Sequence, residues 1–183
     1  EAGGNAKTFL LDVTDDRQAE SVSKEVCEEW GSIVILVNNA GVIVYDKPVW
    51  ETTLEEWNFI MDTNLKGTFL TCKAVLPYMM QKGAGYIINI GSSSGKGPDG
   101  EYGPYAASKW GVVGYTASLA KSLIGQGIIV NGIDPTWVDT DMARAYIPEG
   151  DPDWVTQNEI SDAVIYLLTK APKAMTGKFI DIF

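Results

Sequence analysis

The sequence predicts an α/β fold built on a doubly wound parallel sheet with helices on both faces. Three observations carry this: its strands are apolar throughout rather than alternating, helical patterns separate them, and glycine or proline punctuates the junctions. Residues 9–13 read as the first strand. Residues 16–30 read as a helix, with Ala19, Val22, Val26 and Trp30 at helical spacing. Residues 33–37 form a short β-branched strand. Thr53 with Glu56 three positions later makes a capping box for a helix over 54–76, whose end is marked by Pro77 and Gly83. A strand over 86–90 follows. Pro104 opens a helix over 105–124, ended by Gly125 and Gly127. A strand over 128–133, a helix over 158–170 and a strand over 178–183 complete the pattern.

The stretch from 134 to 157 reads as a loop, yet it carries Trp137, Met142, Tyr146, Ile147 and Trp154. Aromatic residues in a long loop point to a substrate lid or, equally, to a patch that covers its own core.

At 183 residues the chain is expected to be one domain, 1–183. Its 24 acidic residues outnumber 14 basic ones for a net charge of −10, which argues against nucleic acid as a partner. It has no histidine, so His-based triads and most zinc sites are excluded, and no metal is expected. No apolar run approaches the ~20 residues of a membrane-spanning helix, so no membrane partner is expected. Cys27 and Cys72 fall in different predicted helices, consistent with free thiols and a reducing, cytoplasmic location.

The residues with most chemical content are Ser92, Tyr105 and Lys109. Tyr105 and Lys109 are four apart, which on a helix puts both on one face. A cation beside a phenol favours the phenolate, so Lys109 is expected to lower the pKa of Tyr105 from about 10. Tyr105 then becomes a proton donor and acceptor near neutral pH. Ser92 follows the apolar run Tyr86-Ile87-Ile88-Asn89-Ile90, and a hydroxyl at that strand end can hold a carbonyl oxygen while a tyrosine protonates it. Alone, a Tyr-x-x-x-Lys spacing is most often a half-buried tyrosine beside a solvated lysine, and a serine-rich loop is an ordinary turn.

Several further segments occur in a telling order: Leu11-Asp12-Val13-Thr14-Asp15, Leu36-Val37-Asn38-Asn39-Ala40-Gly41, Asp62-Thr63-Asn64-Leu65-Lys66-Gly67, Ser92 thirteen positions before Tyr105, Ile129-Val130-Asn131-Gly132-Ile133-Asp134-Pro135 and Thr140-Asp141-Met142. Together they resemble the short-chain dehydrogenase/reductase family, of the 3-oxoacyl reductase-like kind, over nearly the whole chain. The resemblance implies a Rossmann-like fold and hydride transfer between NAD or NADP and a ketone or secondary alcohol, with a 3-oxoacyl, sugar or steroid-like substrate.

It also implies roles. Asn64, Ser92, Tyr105 and Lys109 would be catalytic, with Asn64 anchoring a water beside Lys109. Asp12, Val13, Asn38, Ala40, Gly41, Tyr105, Lys109, Pro135, Val138 and Thr140 would bind the cofactor, Asp12 and Val13 at its adenine. Ser92, Ser94, Trp137 and Tyr146 would meet the substrate. From the residues alone, Asp12 could as well cap a turn, Asn38 tie adjacent strands, and Asn64 bond locally within a helix. Asn89 and Asn131 read as structural.

Two departures from the family pattern stand out. Thr136 replaces the usual glycine after the proline. The glycine-rich turn of the Thr-Gly-x-x-x-Gly-x-Gly kind does not occur, since Gly3-Gly4 has the wrong spacing. The chain is therefore expected to lack the N-terminal strand–helix–strand unit of ~50 residues, leaving an apolar sheet edge bare. Two other readings remain: an epimerase or dehydratase on the same fold, and a non-catalytic truncated module. The resemblance further implies a homodimer or homotetramer, packed through the helices over 54–76 and 105–124.

Overall fold

The computed structural model describes residues 3–45, 47–97 and 102–183. Four strands, β1 (Ile35–Asn38), β2 (Gly85–Ile90), β3 (Ile128–Pro135) and β4 (Phe179–Ile182), form one parallel sheet in the order β1-β2-β3-β4. The helices are α1 (Asp16–Trp30), α2 (Leu54–Met61), α3 (Gly67–Lys82), α4 (Gly103–Ser122), α5 (Asp141–Tyr146) and α6 (Gln157–Thr169).

The continuous apolar character of the strands has the predicted cause, since side chains from both sides of the sheet are buried. On one face Ile87 and Val130 pack with Cys72, Val75 and Met79 of α3 and Ala120 of α4. On the other, Ile88 and Ile133 pack with Leu167 of α6. Polar side chains stitch the layers together. Asn38 Nδ2 donates to Asn89 Oδ1 at 2.8 Å, Thr71 Oγ1 to Asn38 Oδ1 at 2.7 Å, and Asn89 Nδ2 to Thr116 Oγ1 at 2.8 Å. Asn131 receives the Lys178 amide at 3.0 Å and donates to the Met175 carbonyl at 2.8 Å, a structural role in keeping with its reading from sequence.

Residues 9–13 are not a strand, which corrects the sequence expectation. A strand requires a partner for its backbone groups, and this segment pairs with no described strand; Leu10 is 96% exposed. Its local order comes from side chains instead: Phe9 meets Trp30 edge-on at 6.5 Å, and Val13 lies over Gly67. β1 is the outer strand of the sheet among the described residues, with Ile35 and Val37 exposed.

The predicted helix over 54–76 is also corrected. Its capping box forms, with Thr53 Oγ1 accepting from the Glu56 amide. The helix then opens into a π turn over Asp62–Lys66 and resumes as α3. α3 continues through Pro77 to Gly83, whose φ of 65° forms a left-handed cap. Burial of Val75 and Met79 on either side of Pro77 outweighs its missing N–H, a cost of ~3 kcal/mol. The predicted loop after 134 contains α5, capped by the Thr140 hydroxyl.

Candidate active site

In a parallel sheet all carboxyl ends emerge at one edge. There Asn39-Ala40-Gly41 leaves β1, Gly91-Ser92 leaves β2, and Thr136 follows β3. A cleft of about 840 Å³ crosses these ends. Ser92, Ser94, Tyr105 and Lys109 line it together with Ala40, Gly41, Pro135, Trp137, Val138 and Thr140. Asp12, Val13, Asn38, Asn64 and Tyr146 do not line it.

Ser92 has an extended backbone and caps the short turn Ser93–Gly95, its Oγ accepting the Ser94 amide at 3.2 Å. Its own amide donates to Asp134 Oδ1 at 3.0 Å. The Ser92 hydroxyl lies beside the Tyr105 phenol, close enough to favour its phenolate. The i, i+4 spacing puts Lys109 beside Tyr105, with Nζ 5.5 Å from the ring centroid and donating to the Ile90 carbonyl at 3.0 Å.

The electrostatics correct the expectation for this pair. Burial raises the Tyr105 pKa, because the phenolate loses its hydration; the Ser92 hydroxyl opposes the rise and the Asp134 charge adds to it. Lys109 is itself pushed down to about 8 by burial, against the pull of Asp134.

Asn64 lies in the π turn, buried behind Gly41. Its Oδ1 accepts the Val42 amide at 2.7 Å, and its Nδ2 donates to the Val42 carbonyl at 2.9 Å and to Ser108 Oγ at 3.0 Å. Ser108 in turn donates to the Tyr105 carbonyl at 2.7 Å. These bonds join distant elements, so the reading of Asn64 as a local helix amide does not hold. They tie the loop after β1 to the first turns of α4. A wide turn is what aims an inward amide at that loop.

Asp12 is exposed and accepts the Thr14 amide and hydroxyl at 2.9 and 2.8 Å, which holds its carboxyl below the usual range. Asn38 serves the strand-tying network described above. Tyr146 stands one ring behind the cleft wall, stacked on Tyr45 at 4.4 Å. Val138 bridges to Val155, and Thr140 caps α5.

Sequence reasoning missed Asp134 and the wall residues Tyr45 and Tyr102. Asp134 had a signal: a charge ending an otherwise apolar strand. It is fully buried, and its Oδ2 forms an ion pair with Lys96 Nζ at 2.9 Å without hydrogen-bond alignment. Lys96 also pairs with Asp181 of β4. Tyr45 and Tyr102 lie in segments without periodicity and carried no such signal.

The cleft suits a nicotinamide nucleotide. Gly41 leaves open the space that a Cβ would fill, 3.5 Å from Asn64 Oδ1 and 3.6 Å from Lys109 Nζ. That opening lets a ribose or ring approach the backbone beside a buried ammonium donor.

Comparison with known proteins agrees. Residues 1–150 match the family model described as short chain dehydrogenase. The chain is 38% identical over 189 residues to the 3-oxoacyl-(acyl-carrier-protein) reductase FabG of Escherichia coli (strain K12), covering 98% of this chain and 77% of that protein. Among solved structures it is similar to ElxO with NADP bound, at TM-score 0.88 and 26% identity, covering 95% of this chain and 75% of that one. It is likewise similar to a gluconate 5-dehydrogenase from Burkholderia cenocepacia J2315 in complex with NADP and tartrate, at TM-score 0.87 and 29% identity, covering 94% and 71%. The chain belongs to the short-chain dehydrogenase family, as an NAD(P)-dependent oxidoreductase of a ketone or secondary alcohol.

Proposed function

We propose that Ser92 holds the substrate oxygen and that Tyr105 exchanges its phenolic proton with it, as acid in reduction and base in oxidation. The observation that supports this best is the convergence of the Ser92 hydroxyl and the Tyr105 phenol at the cleft wall, with Lys109 one helical turn on. The nicotinamide, when bound, supplies or takes the hydride. Burial keeps Tyr105 protonated and ready to donate. Lys109 offers its ammonium to the nicotinamide ribose and stabilises the phenolate once the proton has left. Asn64 keeps the Val42 loop and Tyr105 in register and anchors a water beside Lys109.

Ala40 and Gly41 flank the cofactor, Pro135, Val138 and Thr140 line its nicotinamide end, and Asp12 and Val13 meet the adenine. Asn38 supports the cofactor from the strand end that carries Ala40 and Gly41. Ser94, Trp137 and Tyr146 serve the substrate, a small 3-oxoacyl, sugar or steroid-like carbonyl compound.

Residues 1–183 belong to one Rossmann-like domain that acts in the cytoplasm and pairs as a homodimer or homotetramer. Exposed Leu54, Trp57 and Phe59 on α2, Phe69 on α3 and Trp110 on α4 support that association.

The test is titration of NADH and NADPH into the chain, followed by tryptophan fluorescence and then a carbonyl screen. Saturable binding with carbonyl-dependent oxidation of the nucleotide is expected. A folded chain that binds neither nucleotide overturns the reading in favour of a non-catalytic module. Binding without turnover of any carbonyl favours an epimerase or dehydratase.

A further inference from the structure

Tyr45, Tyr102 and Trp137 line one wall of the cleft, and Tyr146 and Trp154 pack behind it. Tyr45 and Trp137 lie 6.3 Å apart and within 11° of parallel, and both pack on Tyr146, at 4.4 Å and 4° and at 5.9 Å and 10°. Trp154 extends the stack beyond Trp137 at 5.6 Å and 12°. Tyr102 closes the wall edge-on to Tyr45, at 5.9 Å and 88°. The assembly is braced, since the Tyr45 hydroxyl donates to the Met142 carbonyl of α5 at 3.3 Å.

This wall adjoins the reacting end of the cleft. The phenols of Tyr105 and Tyr102 are near enough to Tyr45 to add to the effect of burial, which pushes Tyr45 up to about 12 and keeps it an uncharged ring. Charge on the described lining is confined to Lys109 and Asp141. Lys109 is turned to the Ile90 carbonyl, and Asp141 repels anions. No described basic side chain of the lining is therefore placed to take a carboxylate or phosphate at the aromatic end.

Flat π faces favour flat partners, because parallel rings gain both buried area and offset-stacking energy.

We propose that the carbonyl substrate is a flat, uncharged compound carrying an aromatic or fused ring, seated along Tyr45 and Trp137 with its carbonyl oxygen toward Ser92 and Tyr105. This narrows the oxidoreductase reading and rests on it.

The test compares 2-tetralone (fused-ring and neutral), 2-octanone (flexible and neutral) and acetoacetate (anionic), in steady-state turnover with NADH and NADPH and in calorimetric binding to the chain. 2-Tetralone is expected to exceed both others in kcat/KM by about tenfold or more, the scale of one or two aromatic contacts. Trp137→Leu is expected to raise its KM by about tenfold with little change in kcat, and Trp137→Phe to recover most of that loss. Preference for acetoacetate or 2-octanone, or an unchanged KM in folded Trp137→Leu, overturns the substrate class and leaves the oxidoreductase reading standing. Calorimetric binding of 2-tetralone without turnover of any carbonyl keeps the ligand class and overturns the oxidoreductase reading. Binding of none of the three overturns the inference.

Discussion

The buried carboxylate of Asp134 accepts the backbone amide of Ser92 at 3.0 Å, and so sets the height of the serine hydroxyl above the end of β3. Gly91 belongs to the same arrangement, because a Cβ there would lie 1.9 Å from Asp134 Oδ1. Lys96 faces the other carboxylate oxygen and reaches on to Asp181, so the serine loop is fastened to both β3 and β4. Asp134→Ala is expected to destabilise the fold by about 1–3 kcal/mol, the scale of leaving the buried Ser92 amide without its acceptor. It is also expected to lower kcat at least ~10-fold by freeing the Ser92 loop. Thermal melting and turnover measured on the same preparation check both, and unchanged kcat in a folded variant would remove Asp134 from the positioning of Ser92.

Tyr105→Phe removes one oxygen and keeps the ring. Turnover is expected to fall at least ~100-fold, the scale of positioned acid-base catalysis. Nucleotide affinity is expected to stay close to that of the parent. A fluorescence titration beside a turnover assay separates the two effects; near-normal turnover would sink the assignment of Tyr105 as acid and base.

Lys109 predicts a pH signature in stability. Its pKa falls from 10.5 in the unfolded chain to about 8 in the fold, because burial opposes the charged form. Between those values the unfolded state binds more protons, so stability rises as pH climbs from about 8 to about 10.5. The rise from this group is at most about 3 kcal/mol. Lys109→Met is expected to lack it, so the stability difference between the two proteins changes across that window. Urea denaturation at pH 7.5 and pH 10 measures this, and parallel pH dependence in both proteins would contradict the buried, weakened ammonium.

Asn64→Leu strands the Val42 amide, the Val42 carbonyl and one acceptor on Ser108. A loss of roughly 2–4 kcal/mol is expected from groups left unpaired away from water. Amide hydrogen exchange is expected to quicken at Val42 ahead of the sheet, and equal protection there would show that the loop is held by something else.

Much of the fold could be read directly. Strands such as Tyr86–Ile90 are apolar on both faces because both faces are covered, and Thr53 with Glu56 caps its helix through bonds only three residues long. The Tyr105–Lys109 pairing was legible for the same reason, since helical spacing alone puts both on one face. Elements that depend on distant partners were not. Residues 9–13 have strand composition but pair with no described strand, and the helix over Leu54 to Leu76 hides a π turn that aims Asn64 at Val42.

Local periodicity and short-range capping therefore determined, from the sequence by itself, the α/β class, most helix starts and the serine–tyrosine–lysine set. Only tertiary structure decided the electrostatic balance of that set. Burial, not the neighbouring ammonium, governs the Tyr105 pKa, and Lys109 yields its own proton more easily than a solvated lysine. Tertiary structure also brought Asp134 beneath Ser92 and packed Tyr45 and Trp137 of one wall onto Tyr146, from segments up to about a hundred residues apart. Side-chain contact across such separations is set by how strands and loops pack, and periodicity within any one segment carries no record of it.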